Sequence, residues 1–210
     1  MESQIDRAMR RTSRYWYEDG LAEMAMGCIF AALGLVFFLQ RALPPGPLQA
    51  LCGMLGPLAA VVGVGLLGSR VLKVAKARIT YPRTGYVAYR RMTASHRLQK
   101  AAMGGAIGAL VATIAALPSL KVWVPAISGL IMGSVWVYLG HRLDLPRFYM
   151  LAAAAAVLGI LVSLGGFDDL TAGALYFAGL GLAIVVSGAV TLGVYLRSTE
   201  PLAEEEGCGQ

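Results

Sequence analysis

Three glycines, Gly63, Gly65 and Gly68, spell the G-x-G-x-x-G of a dinucleotide-binding turn. That turn works when it follows a strand, opens a helix and is followed by an acidic residue for the ribose. Here the glycines lie inside an apolar run followed by Arg70, Lys73 and Lys76, so the spacing predicts packing and no cofactor. The two histidines, His96 and His141, fit no metal-ligand spacing, and Cys28 and Cys52 make no zinc motif. With Cys208 they also fit no disulfide framework. No G-x-S-x-G, H-E-x-x-H or P-loop string occurs. No metal site and no catalytic residue is expected.

Acidic residues gather at two places beside the apolar runs, apart from the glutamates of the tail. Glu18, Asp19 and Glu23, with His141 and nearby tyrosines, are the groups that general acid–base work on a lipid would use, provided they converge within hydrogen-bond reach. The plainer reading places these carboxylates beside a helix N-terminus, where the helix dipole favours them. Asp168 and Asp169 precede Leu170 as a helix start, and two carboxylates alone make a weak cation site.

The residues suited to contact a partner are basic and aromatic. Between residues 69 and 100 the chain carries nine Lys or Arg and no acidic residue. Arg83, Tyr86, Tyr89, Arg90 and Arg91 are the expected points of contact with lipid or a protein partner. Near the start, Arg7, Arg11 and Arg14 fall opposite a face formed by Ile5, Ala8, Met9, Thr12 and Trp16. That periodicity predicts an interfacial amphipathic helix over residues 1–20, with its arginines near anionic headgroups. A basic flank that only sets topology is the competing reading.

These segments must be carried by something other than a soluble domain. Of the 210 residues 57% are hydrophobic and only 14% charged. An average globular chain carries about 25% charged residues, so lipid must cover part of this surface. The fold class expected is an all-α, multi-pass membrane protein. Apolar runs near the length of a span, about 20 residues, fall at 21–39, which carries Glu23 near its start, and at 48–67, 101–117, 122–139, 148–164 and 170–195, which are uncharged. Only Pro118, Ser119, Leu120 and Lys121 separate the third run from the fourth, which predicts a tight hairpin. The organisation expected is therefore helices 1 and 2 over 21–68, a basic loop over 69–100, helices 3 to 6 over 101–196, and an acidic, disordered tail over 197–210.

Six spans divide the 18 Lys and Arg unequally: alternate segments hold 16 and 2. The positive-inside rule then puts both termini and the long loop in the cytoplasm, and the expected location is the plasma (inner) membrane. Within that loop, 79–81 and 86–89 are strand-like on either side of Pro82, Arg83, Thr84 and Gly85, which predicts a small β-hairpin. Arg70, Lys73 and Lys76 are expected to extend the second helix and snorkel toward headgroups.

Inside the spans the recurring pattern is small residues four apart: Gly27 and Ala31, Gly104 and Gly108, Gly129 and Gly133, Ala174 and Ala178. Close intramolecular helix contact is the first reading and a homodimer the second. Pro57 and Pro125 are expected to kink or cap their helices. The function expected is non-enzymatic: an accessory, scaffold or regulatory subunit. It would engage anionic lipid headgroups or a cytoplasmic protein, and no nucleic acid, through its basic face. The alternative is a small-solute transporter or channel built as a three-plus-three helix bundle, in which case a dimer is expected.

Overall fold

A computed structural model describes residues 17–80, 113, 117 and 120–199. Among them the chain is all-helical, and five helices are long and apolar enough to cross a membrane.

The first, α1 (Leu21–Ala42), begins where Gly20 takes a left-handed φ of 70°. That conformation costs a non-glycine residue energy, and it lets the chain turn sharply after Tyr17, whose carbonyl accepts from the Gly20 amide. Extended backbone at Leu43 ends α1, and Pro47 in the first turn of α2 (Pro47–Ala59) restarts the helix. Proline suits that position because the first amides of a helix have no carbonyl to meet.

Pro57 lies inside α2 and has no N–H to give to Gly53. Three residues later the rod widens into a π turn, Ala60–Val64, before resuming as α3 (Gly65–Ala75). Lost or displaced backbone hydrogen bonds are a common cause of such local widening. Gly63 and Gly65 of the G-x-G-x-x-G string are thus helical, as their apolar setting required.

The helix runs on past residue 68 along Arg70, Lys73 and Lys76, the extension expected of them. A second π turn, Lys76–Thr80, carries it further, and the apolar rod as a whole spans Pro47–Arg78. Ile79 and Thr80, expected to open a β-strand, therefore end a helix, because the helix already in progress satisfies their backbone groups. The rest of the expected hairpin, 81–89, lies outside the described residues.

A 3₁₀ turn, Lys121–Trp123, leads into α4 (Val124–Leu143), which Pro125 begins. The turn to the next helix uses Asp144 in the left-handed region, φ 55°, followed by Leu145 and Pro146. Asp is among the residues that tolerate this conformation. Helix α5 (Arg147–Leu164) ends at Gly165 and Gly166, and α6 (Asp169–Ser198) follows. Asp168 caps α6 by accepting from the Thr171 amide at 3.2 Å, as the sequence predicts. Of the third expected span, 101–117, only Thr113 and Leu117 are described.

Laterally the helices run α4, α5, α6, α1, then the α2–α3 rod. The two tightest seams are glycine seams. Between α4 and α5, a Cβ on Gly133 would stand 3.1 Å from the Ala152 carbonyl oxygen. Between α1 and α6, a Cβ on Gly181 would stand 2.8 Å from the Gly27 carbonyl oxygen, and one on Gly188 only 2.9 Å from the Met24 amide. Backbones this close have no room for a side chain, which is how small residues let membrane helices gain dispersion contact.

The core fills the wedge between α4, α5 and α6 with Trp136, Phe148, Leu151, Tyr176, Leu180 and Ile184. Phe148 meets Trp136 edge to face at 5.1 Å. Outward-facing side chains are also apolar, among them Met54, Leu58, Leu66, Leu67, Met150, Leu164 and Val190. A soluble protein rarely shows so continuous an apolar exterior; hydrocarbon is its natural solvent.

Candidate functional site

Two carboxylates stand at one end of the bundle with no exposed surface, Asp19 just before α1 and Glu23 in its first turn. Leaving either unpaired there would cost several kcal/mol (of order 3–5). Each is met by a cation from a different helix. Lys76, at the end of the long rod, reaches Asp19 with Nζ 2.7 Å from Oδ2. The Thr80 hydroxyl donates to the same oxygen at 2.8 Å, and the Leu21 amide donates to Oδ1 at 3.1 Å. Lys76 itself is only 2% exposed. Its expected snorkelling toward headgroups is therefore corrected: a buried carboxylate at the same level draws the ammonium inward.

Glu23 is held from the other side of the bundle. Arg147, the first residue of α5, donates through Nε to Oε1 at 2.8 Å, with Nη2 2.6 Å from the same oxygen. The Ser187 hydroxyl of α6 donates to Oε2 at 3.1 Å. Arg147 also donates to the Tyr17 carbonyl, and its guanidinium lies 5.5 Å from the centre of the Phe148 ring. Tyr17 completes the group by meeting Phe148 edge to face at 5.7 Å. Burial, and then the Glu23 carboxylate, push the Tyr17 phenol above its usual range, with Arg142 partly opposing them.

Two acids, two cations and two hydroxyls thus fasten α1, the long rod, α5 and α6 at one level. The carboxylates are each ion-paired and hydrogen-bonded, so the arrangement holds helices together. His141, the other group considered for acid–base chemistry, is exposed in the last turn of α4.

The opposite end shows a simpler pairing. Arg41 lies 3.4 Å from Asp168 and donates to the Thr171 hydroxyl, and Lys121 pairs with Asp169. The Thr171 hydroxyl and amide both donate to Asp168 and hold its carboxyl below the usual range, with Arg41 a smaller influence. Asp168 thus caps α6, and the two aspartates neutralise Arg41 and Lys121. Among the described residues, no three His, Cys, Asp or Glu side chains gather where they could hold a metal ion.

The residues singled out from sequence for contact, Arg83, Tyr86, Tyr89, Arg90 and Arg91, and those of the interfacial helix, Arg7, Arg11, Arg14 and Trp16, lie outside the described residues. What is described is where those two segments join the bundle, at Tyr17 and at Thr80. Asp19 links the two junctions through Lys76 and Thr80.

Sequence reasoning overlooked the ion pairs. Lys76 was assigned to the headgroups and Arg147 counted only toward the charge asymmetry, although carboxylates at 19 and 23, entering an apolar run, require cations at the same depth. A second missed signal is a seven-residue glycine spacing: 20, 27 and 34 on one strip, 181 and 188 on the facing one. Compared with protein-family models, curated proteins and solved structures, the chain matches none.

Proposed function

We propose that this chain is a non-enzymatic integral membrane protein with six spans, an accessory, scaffold or regulatory subunit. Its working surface is the cytoplasmic face formed by residues 1–16 and the basic loop. Both termini are cytoplasmic in this reading, an orientation the distribution of Lys and Arg favours, and the host is the inner membrane. The observation that carries it is the Asp19 cluster. It joins the root of the N-terminal segment to the root of the basic loop through a buried ion pair. A rigid base of that kind favours presenting two basic segments side by side to anionic headgroups or to an acidic protein surface.

The test is copurification after mild solubilisation, comparing the wild type with a variant in which Arg83, Tyr86 and Arg90 are replaced by alanine. Loss of a stoichiometric partner in the variant supports the reading. A wild type that purifies alone from every detergent and fails to bind anionic vesicles removes it. A small-solute transporter is the second reading, favoured by a cavity at the Asp168 end. Liposome flux assays that are null for every class of solute count against it.

A further inference from the structure

The chain leaves the long rod and enters α4 at opposite ends of the bundle. Thr80 donates to Asp19 at one end, and Lys121 pairs with Asp169 at the other. With the rod and α4 both spanning the bilayer, residues 81–120 must cross it an odd number of times. Their one apolar run of span length is 101–117. As a helix it reaches about 25 Å, close to the roughly 30 Å of hydrocarbon.

Along the row α4, α5, α6, α1 and rod, the outermost members are α4 and the rod. Both nevertheless line the same cavity, about 580 Å³ at the Asp168 end. The row is therefore curled, and the cavity lies in the cleft between its two ends. Val124, Pro125 and Ser128 of α4 form one wall and Pro57 of the rod the other. Phe37 and Phe177 form the back, their rings 5.5 Å apart and nearly parallel. The rod is the least buried of the five long helices. Met54, which shares a helix face with Pro57, is 77% exposed.

The run 101–117 has two unlike faces when wound as a helix. Met103, Ile107, Leu110, Ile114 and Leu117 recur at steps of three and four, and Gly104, Gly108, Ala112 and Ala115 make the opposite stripe. The Leu120 amide donates to the Leu117 carbonyl at 3.0 Å, so the chain turns tightly just before α4. A tight turn sets consecutive helices side by side. Ile114 precedes Lys121 by the seven residues that separate Lys121 from Ser128, so on such a hairpin both lie at the depth of the cavity.

We propose that residues 101–117 form the helix that occupies this cleft, a span lying between the rod and α4. The small stripe suits close approach to α4, and the bulky stripe suits the wider space toward Pro57 and Phe37. Side chains entering that space recover dispersion contacts that an empty cavity forfeits. The inference rests on the six-span arrangement proposed above and fixes the place of its third member. It also withdraws the opening on which a transporter reading depends.

The experiment uses the full-length protein in right-side-out and inverted membrane vesicles, with Cys28, Cys52 and Cys208 replaced by alanine. A disulfide needs Cα atoms within about 7 Å of each other, so it reports facing helices. Met54→Cys paired in turn with Leu110→Cys, Ile114→Cys or Leu117→Cys should give an intramolecular disulfide on mild oxidation, read as a mobility shift and strongest at Ile114. Leu164→Cys, on the exposed face of α5 at the same end of the bundle, should give none with the same three. A membrane-impermeant maleimide should reach Gly85→Cys and Ser119→Cys from opposite sides. Labelling of both from one side overturns the six spans and the docking with them. Labelling from opposite sides with no disulfide to Met54→Cys at any of the three positions overturns the docking alone, as does a disulfide to Leu164→Cys. A Met54→Cys disulfide that links two chains gives the cleft to a second copy and overturns the assignment.

Discussion

Replacing Arg147 with methionine removes the cation from Glu23 while preserving most of the side-chain volume. In the native bundle Glu23 is wholly buried and accepts from Arg147 and Ser187. The variant would leave a buried carboxylate with one neutral donor. Removing one member of a buried ion pair costs about 3–5 kcal/mol, whereas replacing both members by neutral groups is often near neutral. Arg147 keeps 24% of its side chain exposed, so the lower end applies, about 3 kcal/mol. Loss of its hydrogen bond to the Tyr17 carbonyl adds about 1 kcal/mol. The double variant Glu23→Gln with Arg147→Met should recover most of the loss, leaving a coupling of about 2–3 kcal/mol between the sites. Reversible unfolding in mixed micelles with increasing denaturing detergent, followed by tryptophan fluorescence, measures all four corners of the cycle. A single variant within about 1 kcal/mol of wild type, or a double variant equal to the sum of the singles, would refute the claim that this pair fastens the helices.

The glycine seam gives an opposed pair of substitutions. Gly181→Ala puts a methyl group against the α1 backbone and should destabilise by about 1–3 kcal/mol. Gly63→Ala, with nothing within 4 Å of its added carbon, should be neutral or stabilise by up to about 1 kcal/mol in the same unfolding assay. Asp168 titrates below its unfolded value. Its contribution is therefore complete above about pH 4 and is lost as pH falls through the folded value. Melting temperatures between pH 6 and 3 should show this acid loss in the wild type and a reduced one in Asp168→Asn. Tyr17 titrates above its ordinary value, so the neutral phenol supports the fold until pH rises beyond about 10. Tyr17→Phe should remove part of the alkaline fall in melting temperature, and an unchanged alkaline limb would place the phenol outside the cluster.

Span positions were legible because hydrocarbon filters composition directly. The expected runs 148–164 and 170–195 differ from Arg147–Leu164 and Asp169–Ser198 by only a few residues. The second helix was expected to run on through Arg70, Lys73 and Lys76, and it does; what the sequence hid is that it also takes in Ile79 and Thr80. An amphipathic continuation can place basic residues in water or on a buried acid without leaving the helix. Glycine spacing was half legible: Gly129 and Gly133 do sit in a tight intramolecular seam. Finding the partner strip requires knowing which helices are neighbours, and charge and hydropathy say nothing about that. The candidate site was hidden for the same reason. Asp19 and Lys76 are 57 residues apart, and Glu23 and Arg147 are 124 apart, distances at which no local pattern operates.

The seam between α1 and α6 also orders assembly in time. The first membrane helix finds its closest neighbour only when the last one has been made, because Gly27 and Gly181 meet across most of the chain's length. Until then α1 must wait in the bilayer with a strip of bare backbone and with Glu23 lacking its Ser187 donor. Contacts so distant along the chain are slow to form and leave intermediates open to wrong pairings. A ribosome that stops before residue 169 therefore releases a product marked by an uncovered groove and an under-satisfied acid. That is the kind of defect a membrane protease distinguishes from a finished protein.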